Sequence, residues 1–132
     1  MSRENAEIVE ESIQCFSSGD HDRLAELYHE DAIVVAPEGW PEAGPFVGIE
    51  AVMRNYAQIQ EDWDSHELTV ASMAVQGDFV VAKLVWRVRG RGSGAPARLD
   101  VTGVHWLRDG KIAEARFYRD HQKALEAVGL RE

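Results

Sequence analysis

Residues 107–121 read LRDGKIAEARFYRDH, and the pair Asp109-Gly110 inside them is the clearest local signal in the chain. Asp-Gly between two runs of alternating character reads as a two-residue hairpin, because both central positions of that turn need positive φ. Such a turn pairs Arg108 with Lys111. Counting outward along an unbroken ladder, Trp106 is expected opposite Ala113, Val104 opposite Ala115 and Thr102 opposite Phe117. Neighbouring side chains alternate across a strand, so these six share one face of the sheet. That face is almost wholly apolar. The other carries His105 opposite Glu114, Gly103 opposite Arg116 and Val101 opposite Tyr118, a mixed polar set.

Residues 77–92, GDFVVAKLVWRVRGRG, show the same asymmetry, and Gly77-Asp78 is a second hairpin signal. Val80, Ala82, Leu84, Trp86 and Val88 alternate with Phe79, Val81, Lys83, Val85 and Arg87. The all-apolar set is expected on the face of Trp106 and Phe117. GRGSGAP at 90–96 turns the chain between the middle strands. Two inward tryptophans make a large apolar interior, either solid core or the lining of a cavity.

Before residue 63 the periodicity is helical. Ile8, Val9, Ile13 and Phe16 mark a helix over 3–18 that Gly19 stops. Leu24, Leu27 and Tyr28 share one face of a short second helix behind a cap at Asp20. Ile49, Val52, Met53, Tyr56 and Ile59 mark a third over 49–61. AIVV at 32–35 reads as a short strand. Residues 37–48, PEGWPEAGPFVG, are a proline- and glycine-punctuated loop that also holds Trp40 and Phe46. A last helix begins behind Asp120 and stops near Gly129. Helices segregated from an antiparallel sheet make an α+β domain.

The 132 residues amount to one domain, expected to span 1–132. Acidic residues outnumber basic ones 23 to 14, for a net charge of −9. Nucleic acid and anionic membrane surfaces are disfavoured as partners, since both need a basic face. No apolar run approaches the ~20 residues of a membrane span. The opening MSRENAEIVEE has no apolar signal core, and the single cysteine, Cys15, allows neither an internal disulfide nor a Cys-based zinc site. The expected compartment is the cytoplasm.

Four stretches then carry a resemblance: SGDHDRLAELYHEDAIVV at 18–35, FVGIEAV at 46–52, GDFVVAKLVWRVRGRG at 77–92 and LRDGKIAEARFYRDHQKALEAVGL at 107–130. In this order and spacing they resemble the SnoaL-like (polyketide cyclase) branch of the nuclear transport factor 2-like superfamily, over nearly the whole chain. The resemblance implies a curved antiparallel sheet wrapped by N-terminal helices into a cone. It further implies an apolar pocket inside the cone and a homodimer through the outer sheet face. Function varies within such a superfamily, so each position is weighed separately. Ketosteroid isomerases place a general-base Asp before a Pro, where this chain has Ala36; their oxyanion Tyr aligns with Ser12 and their partner acid near Thr102. Epoxide hydrolases and polyketide cyclases of this type carry two acids on and after the last strand. Here the first falls on Phe117 and the second on Asp120.

Asp100 is the one carboxylate that the ladder places on the inner face of the late strands, opposite Arg119. It is read either as a general base at the pocket mouth or as a cross-strand ion pair. Tyr28 and Tyr56 are candidate hydrogen-bond donors to a ligand carbonyl. Trp40, Trp63, Trp86, Thr102, Val104, Trp106 and Phe117 are the expected pocket lining. Asp120 is read chiefly as a helix cap, and Tyr118 and Arg116 as outer-face groups. His105 is expected opposite Glu114 on the outer face, and His21, His29, His66 and His121 at element ends or in loops. Arg87, Arg89, Arg91 and Arg98 gather at a hairpin end. Cys15 reads as a small buried hydrophobe. No ligand spacing suggests a metal, and no motif implies a cofactor. The expected function is binding of a small apolar organic molecule, with cofactor-free isomerisation, cyclisation, dehydration or hydration by proton transfer. The alternative is a carrier or an interaction module whose cone is filled.

Overall fold

Three tight turns set the frame, and a computed structural model describes it over residues 2–40 and 44–130. Of the 37–48 loop, residues 41–43 therefore lie outside the described residues. Gly77-Asp78 joins β3 (Trp63–Gln76) to β4 (Phe79–Gly90), and residues 91–95 join β4 to β5 (Pro96–Arg108). Asp109 and Gly110, with φ of 52° and 77°, join β5 to β6 (Lys111–Tyr118) as the hairpin signal requires. β1 (Tyr28–Val35) runs parallel to β6, and the two-residue β2 (Phe46–Val47) pairs with its free edge. The sheet order is β2-β1-β6-β5-β4-β3, curved and unclosed, with β1–β6 its one parallel pairing among the described strands.

Helices α1 (Ser2–Ser18) and α3 (Ile49–Glu61) bring Val9, Ile13, Phe16, Val52 and Tyr56 against the inner face of this sheet. Gly19, at φ 82°, ends α1. Asp20 caps the short α2 (His21–Glu26), accepting from the Arg23 backbone N–H at 3.2 Å. The expected second helix is thus shorter than its apolar spacing suggests. Tyr28 opens β1 instead of extending α2, because Leu27 hands its carbonyl to Ile112 N–H in the sheet. Asp120 caps α4 (His121–Ala127), accepting from Gln122 and Lys123 N–H.

The faces of β5 differ from the unbroken-ladder expectation. Arg108 does pair with Lys111 and Leu107 with Ile112, but Trp106 then pairs with Glu114. Ala113 is an extra residue on β6, a bulge two residues beyond the turn. Side chains have a period of two, so one extra residue exchanges the faces of everything beyond it. His105 now lies opposite Ala115 and Val80, and Gly103 opposite Phe117 and Ala82, all on the inner face with Val101 and Leu99. Trp106, Val104, Thr102 and Asp100 face outward with Val81, Lys83 and Val85. The inward set of β4 and the inward position of Phe117 are as expected. The inward placement of Asp100, Thr102, Val104 and Trp106 is overturned.

The outer face is consequently not a plain polar surface. Val81 and Val104 lie beneath Ala124 and Leu125 of α4, flanked by Phe79, Trp106, Tyr118 and Val128. The tail helix buries what the bulge turns outward. The core is therefore two-layered, with the larger cluster between helices and sheet and the smaller beneath α4.

His105 is 0% exposed, and neither ring nitrogen makes a hydrogen bond of normal geometry, although both approach the backbone near Val80 and Gly103. Its ring stands edge-on to Phe117 at 5.6 Å. Gly103 makes room for both: a Cβ there would meet His105 Cε1 at 2.8 Å and Phe117 Cε1 at 2.9 Å. Burial pushes the His105 pKa down from 6.5 to about 4. The unfolded chain then binds a proton that the folded one refuses. Stability is full above the unfolded value and falls as pH drops from 6.5 towards 4, by roughly 3 kcal/mol. Urea unfolding of the wild type and His105→Leu across this interval is expected to give curves that diverge by that amount, the variant losing less. Parallel curves would contradict the burial argument. Gly103→Ala is expected to cost about 1–3 kcal/mol by overpacking, and Phe117→Val in the same chain to recover part of it. A neutral Gly103→Ala would show that the two rings do not need the space.

Candidate functional site

The two helices and the inner sheet face leave a cavity of about 80 Å³ between them. Ile13 and Phe16 come from α1, and Asn55, Tyr56 and Ile59 from α3. Tyr28 and Val34 come from β1, and Ala36, Pro37 and Trp40 from the loop behind it. Leu68, Leu84, Trp86, Val101 and Phe117 complete the sheet side. No charged side chain among the described residues lines it. Of the positions to which the resemblance assigns an acid, Ala36 and Phe117 lie in the wall, and Thr102 and Asp120 do not. The Ser12 position is buried, its hydroxyl spent on the Val9 carbonyl at 2.6 Å.

Trp86 is the hub of the aromatic wall. Trp40 stacks on it at 5.9 Å with 22° between planes. Trp63 stands edge-on at 5.9 Å, Phe16 at 6.2 Å and His66 at 6.3 Å. Trp86 is only 4% exposed, yet its indole N–H has no acceptor among the described residues. His66, also against Phe16 at 5.5 Å, has a buried Nδ1 without a partner. Burial pushes its pKa down, so the ring is neutral at physiological pH.

Deeper in, the Tyr28 and Tyr56 hydroxyls meet at 2.9 Å. Within such a pair one hydroxyl donates and the other accepts, which leaves the acceptor's proton for a third group. Desolvation pushes the Tyr28 pKa up to about 12 and that of Tyr56 well above its ordinary value. Both hydroxyls are therefore donors, not bases, near neutrality.

Of the residues singled out from sequence, Tyr28, Tyr56, Trp40, Trp86 and Phe117 come together around this cavity. Trp63 touches Trp86 from behind the wall. Asp100 does not join them: its side chain is 57% exposed on the outer face and paired with Arg98 at 3.0 Å. Thr102 bonds His121 Nδ1 at 2.8 Å, while Val104 and Trp106 pack towards α4. Glu114 bonds Arg116 on the outer face, without His105. Arg89 and Arg91 donate to the backbone carbonyls of Gly94 and Glu61. Cys15 is buried, and desolvation raises its thiol pKa. Val101 was expected on the outer face, and Phe16, His66 and Asn55 had no assigned part. The apolar stripe of α1 already pointed to Phe16. His66 gave no signal, because its interior position depends on the register of β3 against Val88.

Comparisons with known proteins agree with this architecture. No curated protein matches the chain. The structure superposes with a TM-score of 0.80 on Bal32a, from a soil-derived mobile gene cassette, at 21% identity over 88% of each chain. TerC, co-crystallised with polyporic acid, gives 0.79 at 24% identity over 95% of this chain and 98% of its own. A loop-truncation variant of IdmH gives 0.74 at 26% identity over 86% and 90%. At these identities the likeness shows the fold, which is nuclear transport factor 2-like. The model of the SnoaL-like domain matches residues 9–115, and with most of its length so matched the chain belongs to the SnoaL-like domain family.

Proposed function

We propose that this chain binds a small, single-ring organic molecule in the cavity, with a carbonyl oxygen on the Tyr28–Tyr56 pair. The observation that carries this reading is the buried hydroxyl pair with one proton to spare, set in a wall that is otherwise apolar but for Asn55 and the Trp86 indole N–H. The volume sets the size. About 80 Å³ is roughly half of a ~150 Å³ apolar cavity that admits benzene, so the enclosed space takes the carbonyl end and part of one ring, and the rest of that ring lies at the opening. Donation to a carbonyl polarises it, and in a dry site such a bond is worth more than in water. The chemistry proposed is accordingly cofactor-free and electrophilic: the tyrosines supply a hydrogen bond or a proton to oxygen, as isomerisation, cyclisation, dehydration or hydration would need. No carboxylate lines the cavity among the described residues, so carriage without turnover is the second reading.

Isothermal titration with acetophenone and with α-methylstyrene, which replaces the oxygen by a methylene, tests this. The Tyr28→Phe/Tyr56→Phe double variant is expected to bind acetophenone about 10-fold more weakly, one hydrogen bond's worth, and α-methylstyrene unchanged. Equal loss for both, or no binding of acetophenone by the wild type, would sink the proposal. We further propose a homodimer through the part of the outer face that α4 leaves open. There the small outward side chains Thr69, Ser72 and Ala74 of β3 lie beside β4 and are exposed. Sedimentation equilibrium is expected to report a dimer for the wild type and a monomer for Ala74→Arg. A monomeric wild type would remove this part.

A further inference from the structure

We infer that Trp86 and His66 form a second polar anchor at the mouth of the cavity, built for a hydroxyl group, so that the ligand carries oxygen at both ends of its ring. This deepens the binding reading above and rests on it. Two buried polar atoms without partners among the described residues sit in one aromatic cluster, the Trp86 indole N–H and His66 Nδ1. Such atoms are rare in folded proteins and costly to leave unmet, so two of them in one aromatic cluster call for an occupant. Their rings lie 6.3 Å apart, nearly perpendicular, and both touch Phe16.

Their chemistry selects a hydroxyl. The indole can only donate. His66 Nε2 is not buried, and with the ring proton on that solvent-facing nitrogen Nδ1 accepts. A group that accepts from Trp86 and donates to His66 must carry both a lone pair and a proton. A carbonyl or an ether meets only the first demand. Burial alone lowers the His66 pKa, with no charged group contributing, which keeps Nδ1 an acceptor.

Spacing selects the rest. Phe16 packs against both anchors, 5.4 Å from the Tyr56 ring and 6.2 Å from the Trp86 ring. A ligand ring packed along Phe16 reaches from one anchor towards the other, and oxygens at its opposite ends match both. A para-hydroxyaryl ketone fits, its carbonyl on the tyrosine pair and its phenol at the mouth.

The test compares 4-hydroxyacetophenone with acetophenone by isothermal titration at neutral pH. The wild type is expected to bind the phenol about 10-fold more tightly. His66→Phe is expected to abolish that preference while leaving acetophenone affinity unchanged, and Trp86→Phe, which keeps a ring in the wall but removes the N–H, is expected to abolish the preference whatever the loss of wall surface does to both probes. Equal affinity of the wild type for the two probes overturns the anchor, and so does a variant that weakens both probes alike. Failure of both probes to bind the wild type overturns the tyrosine reading and this one together, whereas either of the other two failures leaves the tyrosine reading standing.

Discussion

A single extra residue in β6, Ala113, decides which side of the central sheet each side chain of β5 occupies, and the rest of the molecule follows from it. Beyond the bulge the inner face receives Val101, Gly103 and His105. The outer face receives Thr102, Val104 and Trp106, too apolar to stand against water, and α4 folds over them. A bulge of this kind also sharpens twist, which suits a sheet that must curve around two helices and stay unclosed. The cavity, the buried histidine and the second core layer are thus consequences of one backbone irregularity.

What the interior lacks is as informative as what it holds. The wall positions where related enzymes carry acids hold Ala36 and Phe117, while the hydroxyl function comes from Tyr28 on β1 and Tyr56 on α3. Their elevated pKa values follow from complete burial, so among the described residues the cavity holds hydroxyl donors at neutrality and no carboxylate. The aromatic wall around Trp86 adds shape and polarisable surface.

His105 illustrates the stability that a functional interior leaves unclaimed. A leucine in its place would bury more apolar surface with no polar atom to satisfy, yet the chain carries an imidazole whose nitrogens make no normal hydrogen bond. Gly103 and Phe117 are shaped around it, which ties the cavity floor to this residue. Substitutions at any of the three are coupled for that reason.

Local signals in the sequence by itself determined the elements: helical stripes over 3–18 and 49–61, the hairpins at Gly77-Asp78 and Asp109-Gly110, the caps at Asp20 and Asp120, and with them the α+β class. The inward row of β4 was legible too, because Val80 to Val88 alternate strictly with polar or outward neighbours. The resemblance groups Tyr28, Trp40, Tyr56 and Trp63 at the pocket opening, and of these Tyr28, Trp40 and Tyr56 line the cavity. Only the tertiary structure decided the faces of β5, since no residue type around Ala113 marks a bulge and an error of one position inverts every assignment beyond it. Asp100, Thr102, Val104 and Trp106 went to the wrong side for that reason alone. The Tyr28–Tyr56 bond and the unpartnered nitrogens of His66 and Trp86 lay equally out of reach. They join residues 28 and 20 positions apart, and hydrogen-bond geometry is a property of packed atoms, not of spacing along a chain.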